Sequence, residues 1–121
     1  MSTGMIALIL EDEPILGFAL EDMLLELGFE AVELATTLDA ARQYLQSGSP
    51  HVAILDVNIH GERSYCLIET LKANSVPFVF ASGYGDAEHP EELRNVATIT
   101  KPYSLHDLRT SLSTAMGISV P

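Results

Sequence analysis

His51-Val52-Ala53-Ile54-Leu55-Asp56 is the stretch that decides the fold, because its unbroken apolar run, Val52 to Leu55, stops on a single carboxylate. Continuous apolar character with some β-branching predicts a strand buried on both faces, as strands of parallel sheets are. Val57-Asn58-Ile59-His60-Gly61 then reads as a loop. A carboxylate at the carboxyl end of a central parallel strand opens into the crevice where open α/β sheets place their chemistry. An isolated strand-end Asp would merely cap the following loop. Asp56 has company.

Working outward, strand and helix periods alternate along the chain. Met5 to Leu10 (MIALIL) is another buried-strand run. Pro14 sits near a helix start, and Leu16, Ala19, Leu20, Met23, Leu24 and Leu27 recur at three- and four-residue spacing until Gly28 stops the helix. Ala31 to Leu34 predicts a shorter strand near a sheet edge. Thr36 with Asp39 gives a cap signature for a helix carrying Leu38, Ala41 and Leu45, closed by Gly48 and Pro50. Beyond Asp56 a third helix runs through Tyr65, Leu67, Ile68 and Leu71. Pro77 to Ala81 (PFVFA) is the fourth strand, with Pro77 tolerated as its first residue. After Ser82-Gly83-Tyr84-Gly85 comes a short fourth helix around Glu91 to Asn95. Val96 to Thr100 is the fifth strand. Ser104 and Asp107 form a capping pair for a fifth helix through Leu105, Leu108, Leu112 and Ala115, ended by Gly117.

Five strand–helix units predict a parallel sheet covered on both faces, and right-handed crossovers leave few topologies. The expected architecture is α/β, a flavodoxin-like (βα)5 three-layer sandwich with sheet order 2-1-3-4-5 and a switch point between strands 1 and 3. The 121 residues are expected to form a single domain, residues 1–121, without repeat or linker. Apolar residues make up 47% of the chain, too many for a disordered tail. No apolar run approaches the roughly 20 residues that span a bilayer, and the N-terminus lacks a signal-peptide pattern. Cys66 is the only cysteine, which excludes an internal disulfide and fits a cytoplasmic setting; its place on a helix predicts a small core residue. With 17 acidic against 6 basic residues the net charge is −11, a surface that repels nucleic acid.

The topology gathers distant residues at one sheet edge. Glu11 and Asp12 follow strand 1, Asp56 ends strand 3, Ser82 ends strand 4 and Lys101 ends strand 5. Clustered carboxylates repel unless a cation compensates, and oxygen-only donors favour Mg²⁺ over zinc. Ser82 can donate a hydrogen bond to an oxyanion, and Lys101 offers a positive point charge. An ionised Asp beside Mg²⁺, an ammonium and a hydroxyl is a workable phosphoryl acceptor. The four histidines, His51, His60, His89 and His106, show no metal-ligand spacing.

At these positions the chain resembles the receiver domain of bacterial two-component response regulators. The matching pieces are LILEDEP after strand 1, AILDVN at strand 3, FASG after strand 4 and TKPY after strand 5. The resemblance implies that Asp56 is the phosphoacceptor, with Glu11, Asp12, Asp56 and the Asn58 backbone carbonyl as Mg²⁺ ligands. It implies that Ser82 bonds the phosphoryl group, that Lys101 pairs with it, and that Lys101-Pro102 is a cis peptide. The implied partners are a sensor histidine kinase or histidine phosphotransfer domain and a downstream protein target or fused output domain. The phosphorylated form would reshape the face of the fourth helix, fifth strand and fifth helix, through which a dimer is also compatible. Such a chain is a signalling switch, self-phosphorylating and self-dephosphorylating, and not a dedicated enzyme.

This sequence departs from the family pattern in three places. Thr98 stands where many receivers carry an aromatic switch residue. Ile59-His60 replaces the usual Met-Pro, and Gly61-Glu62-Arg63-Ser64 lacks the common Asp-Gly. FASGYG with DVNIHGE looks like a subgroup with Phe-Ala-Thr-Gly after strand 4. Tyr84, two residues after Ser82, and His60, at the rim of the crevice, are candidate modulators; the Tyr84 ring would screen the phosphoryl group from water. A rival reading is a Mg²⁺-dependent phosphohydrolase with an aspartyl-phosphate intermediate. Haloacid-dehalogenase-type enzymes want a second Asp two residues after the nucleophile, where this chain has Asn58. A non-phosphorylated pseudo-receiver is disfavoured by the intact Glu11, Asp12, Asp56, Ser82 and Lys101.

Overall fold

The computed structural model describes residues 4–82, 96, 98–100 and 104–118. In chain order it forms β1 (Ile6–Leu10), α1 (Pro14–Glu26), β2 (Ala31–Ala35), α2 (Leu38–Ser47) and β3 (Val52–Asp56). A two-strand hairpin follows, β4 (Asn58–Ile59) and β5 (Glu62–Arg63), then a 3-10 turn (Ser64–Leu67) leading into α3 (Ile68–Ala73). β6 (Phe78–Ser82), β7 (Thr98–Thr100) and α4 (Leu105–Met116) complete the described elements. The main sheet has the order β2-β1-β3-β6-β7 with every pairing parallel. Leaving the hairpin aside, this is the expected order 2-1-3-4-5. The expected helix around Glu91 to Asn95 lies outside the described residues.

Strand alternation splits the core in two. Leu8, Leu10, Ala53, Leu55 and Phe80 face Leu38, Ala41 and Leu45 of α2 and Leu67, Ile68 and Leu71 around α3. Ala7, Ile9, Val52, Ile54, Val79 and Ile99 face Leu20 and Leu24 of α1 and Leu108 and Leu112 of α4. All five residues of β3 are buried, so the opening apolar run is the spine of the sheet. β2, with Ala31 and Glu33 exposed, is the edge strand. Among the described residues no helix is long and apolar enough to cross a membrane.

Helix ends follow their sequence signals. Ser104 and Asp107 make a reciprocal capping box at α4, with the Asp107 N–H donating to Ser104 Oγ at 3.1 Å and the Ser104 N–H to Asp107 Oδ2 at 3.0 Å. Gly117 closes α4 in the left-handed region, φ 69°. The cap of α2 is Thr37 and not Thr36: the Ala40 N–H donates to Thr37 Oγ1 at 3.0 Å. Two adjacent threonines offer the same hydroxyl, and only the chain's exit from β2 selects between them.

Four further expectations need correction. Leu16 and Ala19 of α1 are exposed, and the sheet-facing stripe is Gly17, Leu20 and Leu24. A Cβ at Gly17 would lie 2.7 Å from Leu34 Cδ1, so the helix approaches β2 at its glycine and turns Leu16 and Ala19 outward. Cys66 is exposed, with Arg42 Nη2 donating to its Sγ at 3.6 Å, because the segment enters α3 as a 3-10 turn and shifts phase. Residues 57–61 are part of a hairpin and not a plain loop. Pro77 immediately precedes β6, whose first residue is Phe78.

Candidate functional site

Parallel pairing decides which residues meet at the carboxyl edge of the sheet. Leu10 pairs with Leu55, so Glu11 and Asp56 leave β1 and β3 side by side. Asp56 pairs with Ala81, and Ser82 with Thr100. The backbone of Ser82 therefore sits one step beyond the partner of Asp56, at the same edge. Lys101 and Tyr84 lie outside the described residues.

One carboxylate oxygen from each of Glu11, Asp12 and Asp56 lies within 4.8 Å of the others. Glu11 and Asp56 are only 5% and 8% exposed, and Asp12 is half-buried. Each also accepts a backbone N–H: Glu13 to Glu11 Oε2 at 3.2 Å, Asn58 to Asp56 Oδ1 at 3.3 Å, and His60 to Asp12 Oδ2 at 3.0 Å. At an effective dielectric of about 20, two unit charges at this separation repel by about 3 kcal/mol. Three N–H dipoles soften that repulsion without removing it. The all-oxygen donor set is the kind that holds a hard divalent cation.

Asp12 is kept ionised. Partial burial works to raise its pKa, but the His60 N–H and the charge of His60 together hold it below the ordinary 3.8. Glu13 stays outside the cluster. It is exposed and serves as the N-cap residue of α1, its carbonyl accepting the Gly17 N–H at 3.0 Å.

The hairpin is the part of the site that sequence reading missed. His60 and Gly61 both have positive φ, 51° and 84°, between the paired residues Ile59 and Glu62. Two left-handed residues in a two-residue loop make a tight turn of the primed hairpin class. A dipeptide ending in Gly between Asn58-Ile59 and Glu62-Arg63 was the available signal. The turn carries His60 across the crevice, where its Nε2 lies 3.1 Å from the Thr36 carbonyl oxygen.

Comparison with known proteins places this geometry in context. A family model described as the response regulator receiver domain matches residues 7–113. The solution structure of SdrG from Sphingomonas melonis Fr1 is 34% identical, with a TM-score of 0.85 over 98% of this chain and 100% of that one. The BeF3-activated conformation of SdrG from Pseudomonas melonis Fr1 is 32% identical, TM-score 0.80, over 96% of this chain and 99% of that one. The PhyR response regulator receiver domain of Erythrobacter litoralis is 27% identical, TM-score 0.77, over 96% of this chain and 92% of that one. No curated protein matches. With the family model spanning most of the chain and an acidic cluster at the expected sheet edge, this chain belongs to the response regulator receiver domains, the phosphorylation-activated modules of two-component signalling.

Proposed function

We propose that the chain accepts a phosphoryl group on Asp56 from a phosphohistidine of a sensor kinase or histidine phosphotransfer domain. The carrying observation is the position of Asp56: at the end of the central strand, nearly buried, with its carboxylate within 4.8 Å of those of Glu11 and Asp12. A carboxylate oxygen of Asp56 forms the new P–O bond as the P–N bond to the donor imidazole, protonated on its other ring nitrogen, breaks, leaving an acyl phosphate and a neutral histidine. Glu11, Asp12, Asp56 and the Asn58 carbonyl would hold Mg²⁺, which supplies charge neutralisation for the phosphoryl oxygens. Ser82 donates its hydroxyl to that group, and Lys101 pairs with it. Pulling Ser82 and Lys101 toward a new dianion transmits the event to β7 and α4.

The donor domain seats on α1. Ile15, Leu16, Phe18 and Leu25 are 80%, 43%, 56% and 46% exposed, an unusual apolar display for a helix of so acidic a chain. α1 opens at Pro14, two residues after Asp12, so a partner lying on it stands beside the acceptor. Exposed Asp22 and Glu26 on the same helix suit a partner surface with basic residues around an apolar stripe.

Beryllofluoride titration of the ¹⁵N-labelled chain with Mg²⁺ tests the acceptor assignment. Amide resonances of Asp56, Asn58 and Ser82 are expected to move in the wild type and stay in place in Asp56→Asn. Equal shifts in both would refute it.

A further inference from the structure

We propose that His60 is a positioning residue for the cation site, and that the hairpin tip it occupies is a strap holding Asp12 in its ligating orientation. This rests on the reading of Glu11, Asp12 and Asp56 as cation ligands. His60 makes two bonds to two different loops: its backbone N–H donates to Asp12 Oδ2 at 3.0 Å, and its ring Nε2 meets the Thr36 carbonyl oxygen at 3.1 Å. A carbonyl only accepts, so the ring is held as the Nε2–H form and is the donor. One residue thus ties the β1–α1 loop to the β2–α2 loop across the crevice.

The backbone of the strap explains how the amide comes to be aimed there. In a two-residue hairpin the first turn residue directs its N–H out of the ladder, free for an outside acceptor. His60 holds φ 51°, a region costly for a side-chain-bearing residue, and Gly61 follows at φ 84°. Ile59, 1% exposed, anchors the base of the hairpin in the core, but the tip itself, His60 and Gly61, is exposed and needs another tie. Ile59, His60 and Glu62 stand across a cleft of about 190 Å³ from Thr37, Leu38 and Asp39. The ring bond to Thr36 spans this gap and fixes the amide against Asp12.

The consequence is orientation. With Oδ2 occupied by the His60 amide, the Asp12 carboxylate is prevented from rotating away from Glu11 and Asp56. Partners that orient a ligating carboxylate change metal affinity on removal, typically by tenfold or more. A proline at position 60 would abolish the amide donor altogether.

The test measures Mg²⁺ and Mn²⁺ binding to the full chain by calorimetry, alongside the urea midpoint. His60→Leu and His60→Gly both lack the ring donor, and the glycine variant also relieves the left-handed backbone. Each is expected to weaken the metal about tenfold, with a phosphorylation deficit that is overcome by raising Mg²⁺. His60→Gln, whose amide nitrogen reaches where Nε2 lies, is expected to recover binding to within about twofold. Wild-type affinity in His60→Gly, or no recovery in His60→Gln, overturns the strap. Failure of the wild type to bind either ion, with Asp12→Ala no different, instead overturns the cation site itself and the strap with it.

Discussion

Glu11 and Asp56 stand side by side at the ends of β1 and β3, because Leu10 and Leu55 are partners one step earlier. Both are buried, and ionised together with Asp12 they repel. Without a cation, Asp56→Asn is therefore expected to raise stability, by about 1 kcal/mol or more. Mg²⁺ at about 100 times its dissociation constant should stabilise the wild type by about 2.7 kcal/mol and the variant by less. Thermal melts with and without Mg²⁺ check both signs.

Phe18 separates docking from chemistry. Its ring is 56% exposed on α1 and outside both core clusters. Phe18→Asp is expected to slow transfer from a phosphohistidine donor at least tenfold, about 1.4 kcal/mol at the interface. Phosphorylation by acetyl phosphate, which docks on nothing, should change little. Equal losses with both donors would place the effect in the fold.

Ser64 is fully buried, and its hydroxyl has no hydrogen-bond partner among the described residues. Its backbone N–H donates to the Val57 carbonyl at 2.9 Å, fixing the residue where the hairpin returns toward α3. Ser64→Ala removes a desolvated hydroxyl and should stabilise the domain by about 1 kcal/mol in urea denaturation.

Asp107 sets a pH dependence at the α4 cap. Hydrogen bonds from the Ser104 backbone and side chain, aided by His106, hold its pKa below 3.8 despite slight desolvation. A carboxylate depressed in the folded state stabilises at pH above its unfolded value and loses that contribution as pH falls through the folded one. The stability difference between wild type and Asp107→Asn is thus full above the ordinary carboxylate range and shrinks progressively as pH falls through it and below. A difference that grew on acidification would contradict the cap.

What could be read in advance was what depends on short-range pattern. The run Val52–Leu55 gave a strand buried on both faces, and parallel order then brought Glu11, Asp12 and Asp56 together. What escaped depends on contacts distant in sequence. The Gly17 approach to Leu34 turns Leu16 outward, and no helical period records it. The 3-10 entry to α3 exposes Cys66 by shifting phase within one turn. His60 is legible as a residue at the rim of the crevice, but its bonds are not, since its backbone amide and ring nitrogen find partners 48 and 24 residues away in the chain.

Phosphorylation of Asp56 is the claim on which the others depend, and intact mass after incubation with acetyl phosphate and Mg²⁺ addresses it directly. The wild type is expected to gain one phosphoryl group, lost on hydroxylamine treatment as an acyl phosphate is, and Asp56→Asn to gain none. An Asp56→Asn variant that takes up the same hydroxylamine-labile group would contradict the account.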